Sequence, residues 1–281
     1  MAQNHIEFVT SYVGFFAKGL VQMLIDPKIE VNLFKNLVEN YLPSYIFLPK
    51  LKKIDFKNYE NFLDLKNHKI LKIKKKVNYS INMDLALMLS TSGSTGSKKF
   101  VRLSYENIND NTKNIVRYLN IKENHRTVTT MPPHYTYGLS IINTHLYMGA
   151  SIFVTNTKVV EKNFWKFFKE QKITSFGGVP HFYEIIKKLN FNKMHFTNLK
   201  YFTQAGGKLR KDLIEYFLTY SEKNKKEFVV MYGQTEATAR MTYLPYKMLK
   251  KKIGSVGKPI AGGKIHLLSD NSKNDKKGEI I

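Results

Sequence analysis

Thr91-Ser-Gly-Ser-Thr-Gly-Ser-Lys-Lys99 directly follows the apolar run Leu85-Ala-Leu-Met-Leu89. A strand that empties into hydroxyls, glycines and lysines reads as a phosphate-holding loop. Gly93 and Gly96 let the backbone bend close to an anion, Thr91, Ser92, Ser94 and Thr95 offer hydroxyls, and Lys99 adds a full positive charge. The G-x-x-x-x-G-K-[ST] spacing of a Walker loop is absent, because the glycines lie too close together and no Ser or Thr follows Lys98 or Lys99. An ordinary P-loop ATPase or kinase is therefore disfavoured, while by composition alone a plain surface loop stays open.

Working outward, apolar β-rich runs alternate with helix-patterned runs, the signature of an α/β fold with mainly parallel sheets and crossover helices. Strands are predicted at 45–48, 85–89, 127–131, 151–155, 173–176, 201–204 and 228–231. Helices are predicted at 138–148, 162–171, 181–189 and 209–220, and another from an N-cap at Ser104 to about Leu119. The apolar segment 6–25 reads as a single amphipathic, largely buried helix. Loops 90–100, 204–208 and 232–236 all follow strand ends, where open α/β sheets bind ligands. Near the end come a glycine-rich stretch over 254–263, a strand-like run at 264–268, a polar turn at 269–277, and Gly278-Glu-Ile-Ile281.

At 281 residues, with 43% hydrophobic residues, 19 Phe and 17 Tyr, the chain has ample material for a buried core. Its formal net charge of +23 would attract nucleic acid or acidic ligands, yet the lysine runs lack interleaved aromatics on which bases could stack. They read as solvated faces, and no specific nucleic-acid partner is expected. Without any cysteine, disulfides and thiolate chemistry are excluded, and a cytoplasmic protein fits. Segment 6–25 is interrupted by Glu7, Lys18 and Gln22, so no membrane span is expected.

Tyr232-Gly-Gln-Thr-Glu236 follows strand 228–231 and supplies a flat ring, a glycine for close approach, a hydroxyl and a carboxylate. Thr235 suits a phosphate oxygen. Glu236 suits Mg²⁺, a hard cation that takes oxygen ligands, and it equally suits a helix N-terminus. The phosphate loop, Met131-Pro-Pro-His-Tyr-Thr-Tyr-Gly138, Gln204-Ala-Gly-Gly207, Tyr232 to Glu236 and Gly254-Ser-Val-Gly-Lys-Pro259 occur in one order along the chain. In that order they resemble the AMP-dependent synthetase/ligase superfamily, the adenylate-forming enzymes that include acyl-CoA synthetases. Phe16-Ala-Lys-Gly-Leu20 to Leu24-Ile-Asp26 looks like an early core motif of the same family.

The resemblance implies that a carboxylic acid attacks the α-phosphate of ATP to give acyl-AMP, after which coenzyme A or a carrier-protein phosphopantetheine thiol displaces AMP. Residue by residue, Thr91, Ser92, Gly93, Ser94, Thr95, Gly96 and Lys99 match the phosphate loop. Gly206, Gly207, Tyr232, Gly233 and Gln234 match nucleotide-binding positions, Thr235 an α-phosphate contact, and Glu236 the Mg²⁺ ligand. His134, Tyr135 and Gly138 match one wall of the carboxylate pocket, with Gln204 and Ala205 opposite. Tyr135 and Tyr137 are equally readable as core aromatics, and His181 as structural. Segment 134–144 has no acidic residue to pair with an ammonium, which favours an acyl or aryl acid over an amino acid.

Lys98-Lys-Phe100 stands where the family has Pro-Lys-Gly, with the lysine kept at 99. The family's first strands and its C-terminal catalytic subdomain, with a ribose-binding aspartate, a hinge and an adenylating lysine, find no match in 1–281. The expectation is a partial AMP-binding domain, truncated at both ends, whose activity is impaired or depends on a separate chain that supplies the missing domain. An acyl carrier protein is the other expected partner. The alternative is an inactive nucleotide-binding fragment or pseudoenzyme.

Overall fold

The computed structural model describes residues 1–75, 77–90, 99–268 and 278–280. Its main sheet has seven strands, in the order Lys258–Pro259, Thr242–Leu244, Glu227–Tyr232, Tyr201–Gln204, Ser175–Gly178, Arg126–Val128 and Ser151–Phe153. The last five run parallel and the first two antiparallel. The α/β class and the alternating strands and helices of the sequence are thus present, with boundaries shifted by up to a few residues.

Register builds the core. Phe176, Phe202 and Phe228 are direct partners across three parallel strands. Their rings stack 5.4 Å and 4.8 Å apart at 11° and 16°, near the offset geometry that aromatic pairs prefer. This ladder faces helices Lys162–Glu170, Pro180–Lys188 and Lys211–Asn224, which add Phe168, Tyr183 and Phe217. The opposite face, with Tyr201, Val229 and Met231, packs on Ile115, Leu119, Tyr137 and Ile141.

Those four residues come from helices Tyr105–Leu119 and Thr136–Tyr147, which also touch a second sheet. Gln22–Leu24 pairs parallel with Leu85–Ser90, which pairs antiparallel with Phe100–Ser104. Ile108, Leu139 and Ile142 join Leu87, Leu89 and Leu103 there. Helix Thr136–Tyr147 is therefore enclosed from both sides, consistent with its apolar character around most of its circumference. Helix Tyr105–Leu119 begins as the sequence predicts. Ser104 accepts the amide proton of Asn107 and the Asn107 side chain accepts that of Ser104, a closed capping box.

Two expectations are corrected. Segment 6–25 is not one helix: it is helix Ile6–Ala17 followed by strand Gln22–Leu24, with Gly19 at φ +67° turning the chain between them. Tyr45–Pro49 lies outside the parallel sheet, in an antiparallel sheet with His68–Ile73 and Tyr59–Asp64. Leu267–Leu268 and Glu279–Ile280 form a further antiparallel pair.

Two histidines, His125 and His145, are buried within the fold. The Nδ1 of His145 donates to the Ile141 carbonyl at 2.8 Å, and His125 precedes strand Arg126–Val128. Burial holds both imidazoles down at about 4, helped at His125 by Lys200 and Lys122. Both therefore stay neutral in the folded chain where the unfolded chain, titrating near 6.5, takes up protons. Stability is expected to be full at neutral pH and to fall as pH drops from about 6.5 towards about 4, with a lower urea midpoint at about pH 5 than at about pH 7. Phe202→Ala is expected to cost about 3–5 kcal/mol in the same denaturation measurement, because it empties the middle of the aromatic ladder.

Candidate functional site

Four loops meet at the carboxyl ends of the parallel strands. Tyr201–Gln204 continues into Ala205, Gly206 and Gly207, and Glu227–Tyr232 into Gly233, Gln234, Thr235 and Glu236. Ser175–Gly178 leads to Val179, and the segment after Arg126–Val128 leads to His134, Tyr135 and helix Thr136–Tyr147.

Side chains stitch these loops together. The Thr136 hydroxyl donates to that of Thr235 at 3.0 Å. Tyr135, at the N-cap of its helix, lays its hydroxyl against Gly206, where a Cβ would collide with it. Gly206 takes φ +78° and Gly207 φ +152°, conformations that side-chain-bearing residues rarely adopt. A Cβ on Gly207 would also press to 3.1 Å of Pro180. Buried Gln204 donates its amide to the Gly207 carbonyl at 2.8 Å, which fixes the loop, and Ala205 is buried beneath it. Gly138 is required for packing, because a Cβ there would strike the Pro132 carbonyl oxygen.

Of the sequence-derived candidates, Tyr135, Gly138, Gln204, Ala205, Gly206, Gly207, Tyr232, Gly233, Gln234, Thr235 and Glu236 lie at this edge of the sheet. Gln234 and Glu236 are exposed, while Tyr232 and Thr235 are half-buried. Lys99 is exposed, next to strand Phe100–Ser104. Thr91, Ser92, Gly93, Ser94, Thr95 and Gly96 lie outside the described residues. His134 turns towards the early part of the chain, with Nδ1 donating to the Ala2 carbonyl at 3.1 Å and Nε2 3.7 Å from an Asp26 carboxylate oxygen. Asp26 belongs to the early motif noted in the sequence, so the two motifs meet in space.

Sequence reasoning missed the segment after Glu236. Thr238 adopts φ 74° and ψ −91°, a strained γ-turn-like conformation worth about 1–3 kcal/mol at a β-branched residue. Arg240 has φ 42° and is 3% exposed. The buried Asn111 side chain donates to the Ala239 carbonyl at 2.6 Å and pins the segment. The available signal was an arginine set among small residues directly after Tyr232 to Glu236. An apolar hollow of about 390 Å³ lies elsewhere, between helices Ile6–Ala17 and Val31–Tyr41 and strand Tyr45–Pro49. Phe8, Tyr12, Phe34 and Phe47 line it, and it gathers none of the candidate groups.

Gly233 is held to Arg240 so tightly that a Cβ would fall on the Arg240 backbone nitrogen, whereas Gly14 has open space around it. Gly233→Ala is expected to lower stability by about 1–3 kcal/mol in thermal melts. Gly14→Ala, in the interior of helix Ile6–Ala17, is expected to raise it by about 0.5–1 kcal/mol.

The 2-succinylbenzoate–CoA ligase of Oceanobacillus iheyensis is 24% identical across all of this chain, which covers 58% of that protein. The mitochondrial medium-chain acyl-CoA ligase of Mus musculus is 30% identical over 60% of this chain and 28% of its own length. Among solved structures, o-succinylbenzoate CoA synthetase from Bacillus subtilis, in complex with its acyl-adenylate intermediate, superposes with a TM-score of 0.78 at 19% identity. It covers 99% of this chain and 57% of its own. The chain thus spans under two thirds of the length of these full-length relatives. No helix among the described residues is long and apolar enough to cross a membrane. The AMP-binding enzyme model matches residues 1–281, and the chain belongs to that family.

Proposed function

We propose that these residues form the nucleotide-binding part of an ATP-dependent acid–thiol ligase, which activates a carboxylic acid as its acyl-adenylate for transfer to coenzyme A or a phosphopantetheine thiol. The observation that carries this reading is the meeting of the 204–207, 232–236 and 134–138 segments at one strand edge. There tightly packed glycines fix the course of the loops and two hydroxyls face one another. The donor set fits a nucleotide. Gly206, Gly207 and Gly233 allow flat contact with a base, Tyr232 offers a ring to stack on it and Gln234 flanks it, and Thr235 meets the α-phosphate.

Glu236 is exposed and makes no ion pair among the described residues, which suits a hard cation shared with phosphates. Mg²⁺ bound there supplies neutralisation of phosphate charge. Lys99 and the hydroxyls of the 91–96 stretch do the same for the β- and γ-phosphates. Tyr135 and Gly138, with His134 behind them, form one wall of the acid site, and Gln204 and Ala205 form the other. Residues 1–281 act as the AMP-binding domain of such a ligase. An acyl or aryl acid is the substrate class, and the reducing cytoplasm is the setting.

Pyrophosphate release from ATP and Mg²⁺ over a panel of carboxylic acids is the direct test. Acid-dependent release is expected, falling about 10²-fold or more in Lys99→Ala and in Glu236→Ala. Release that ignores the acid, or that both variants leave intact, would refute the assignment.

A further inference from the structure

Between helix Thr136–Tyr147 and the parallel sheet, the interior holds a cation with no counter-charge among the described residues. The Nε of Arg240 donates to the Ser140 hydroxyl at 3.0 Å, and its guanidinium carbon lies 5.4 Å from the centre of the Tyr137 ring. Among the described residues its buried Nη2 has no hydrogen-bond partner, and no carboxylate lies within ion-pair distance of it. Arginine is ionised at any physiological pH, and a buried charge is strongly unfavourable unless an opposite charge meets it.

The backbone reinforces the point. Thr238 and Arg240 both take positive φ, and Asn111 clamps the residue between them, so the guanidinium is driven into the core rather than left in solvent. Ser140 lies one helical turn beyond Thr136, the residue that touches Thr235. Arg240 therefore lies against the helix whose first turn carries Thr136 and Gly138, about one turn along from the Thr136–Thr235 contact.

We propose that Arg240 is the specificity-determining residue of the acid site and receives the second carboxylate of a short dicarboxylic acid, whose first carboxylate is the one activated. This rests on the acid-activation reading given above. Tyr137 and Ser140 frame the guanidinium, and its free Nη2 is the donor kept for the incoming carboxylate. A hydrocarbon tail in the same place would leave the cation buried and unpaired, so simple fatty acids are disfavoured.

Calorimetric titration of the chain with glutarate and with pentanoate, in the presence of AMP, isolates the second carboxylate at constant carbon number. Glutarate is expected to bind at least about 30-fold more tightly, the counterpart of one buried charge pair. Arg240→Met, checked for folding by thermal melt, is expected to abolish that preference, and Arg240→Lys to keep part of it. Equal binding of the two acids by the unaltered chain would overturn the proposal whether or not the variants fold, as would a preference that survives Arg240→Met. AMP titrated alone tests the wider reading separately. AMP binding without a dicarboxylate preference sinks only the Arg240 assignment, whereas failure to bind AMP sinks the ligase reading and the Arg240 assignment with it.

Discussion

The structure depends on one constraint: the parallel register of Ser175–Gly178, Tyr201–Gln204 and Glu227–Tyr232. Gln204 lies opposite both Gly178 and Val230, so the strands finish together and their following loops are delivered to one edge. Parallel strands need crossover helices, and those helices cover both faces of the sheet with apolar side chains. The same register that stacks Phe176, Phe202 and Phe228 on one face therefore brings Val179, Ala205 and Met231 level at the top, with Gly233 two residues further along. Core and site are two outcomes of one alignment.

Helix Thr136–Tyr147 carries that alignment into the second sheet. Its residues alternate between two cores, with Tyr137 and Ile141 towards the large sheet and Leu139 and Ile142 towards the small one. Tyr137 and Tyr183 approach from opposite sides of the sheet, and both hydroxyls donate to the Thr203 carbonyl, at 2.9 Å and 2.7 Å. Such a helix has little freedom to slide, because a shift that suits one core breaks the other. The loop that precedes it, with Tyr135 over Gly206, inherits that rigidity.

Much of this was legible in the sequence where a local pattern and the tertiary environment agree. The box at Ser104 and Asn107 depends on neighbours three residues apart, and the stretch 228–231 of strand Glu227–Tyr232, buried on both faces, carries an unbroken apolar run. The misread portions are those where tertiary contacts decide. Tyr59–Asp64 exposes every residue but its first, so its polar sequence looks like a loop, and only pairing with His68–Ile73 makes it a strand. Segment 6–25 is largely apolar apart from Glu7, Lys18 and Gln22, and composition alone does not announce that Gly19 divides it. Arg240 escaped because a lone arginine is ordinarily solvated. Its burial follows from the rare backbone conformation at Thr238, which sequence pattern does not encode.

The strand order also governs how the molecule meets copies of itself. A parallel sheet carries unpaired amides and carbonyls along its two margins, each a template for another chain. Here one margin is the two-residue strand Lys258–Pro259, where proline has no amide to offer and lysine supplies repulsion. The other is Ser151–Phe153, only three residues long. With both borders so brief, this seven-stranded sheet offers a neighbouring molecule little frontage from which to extend it.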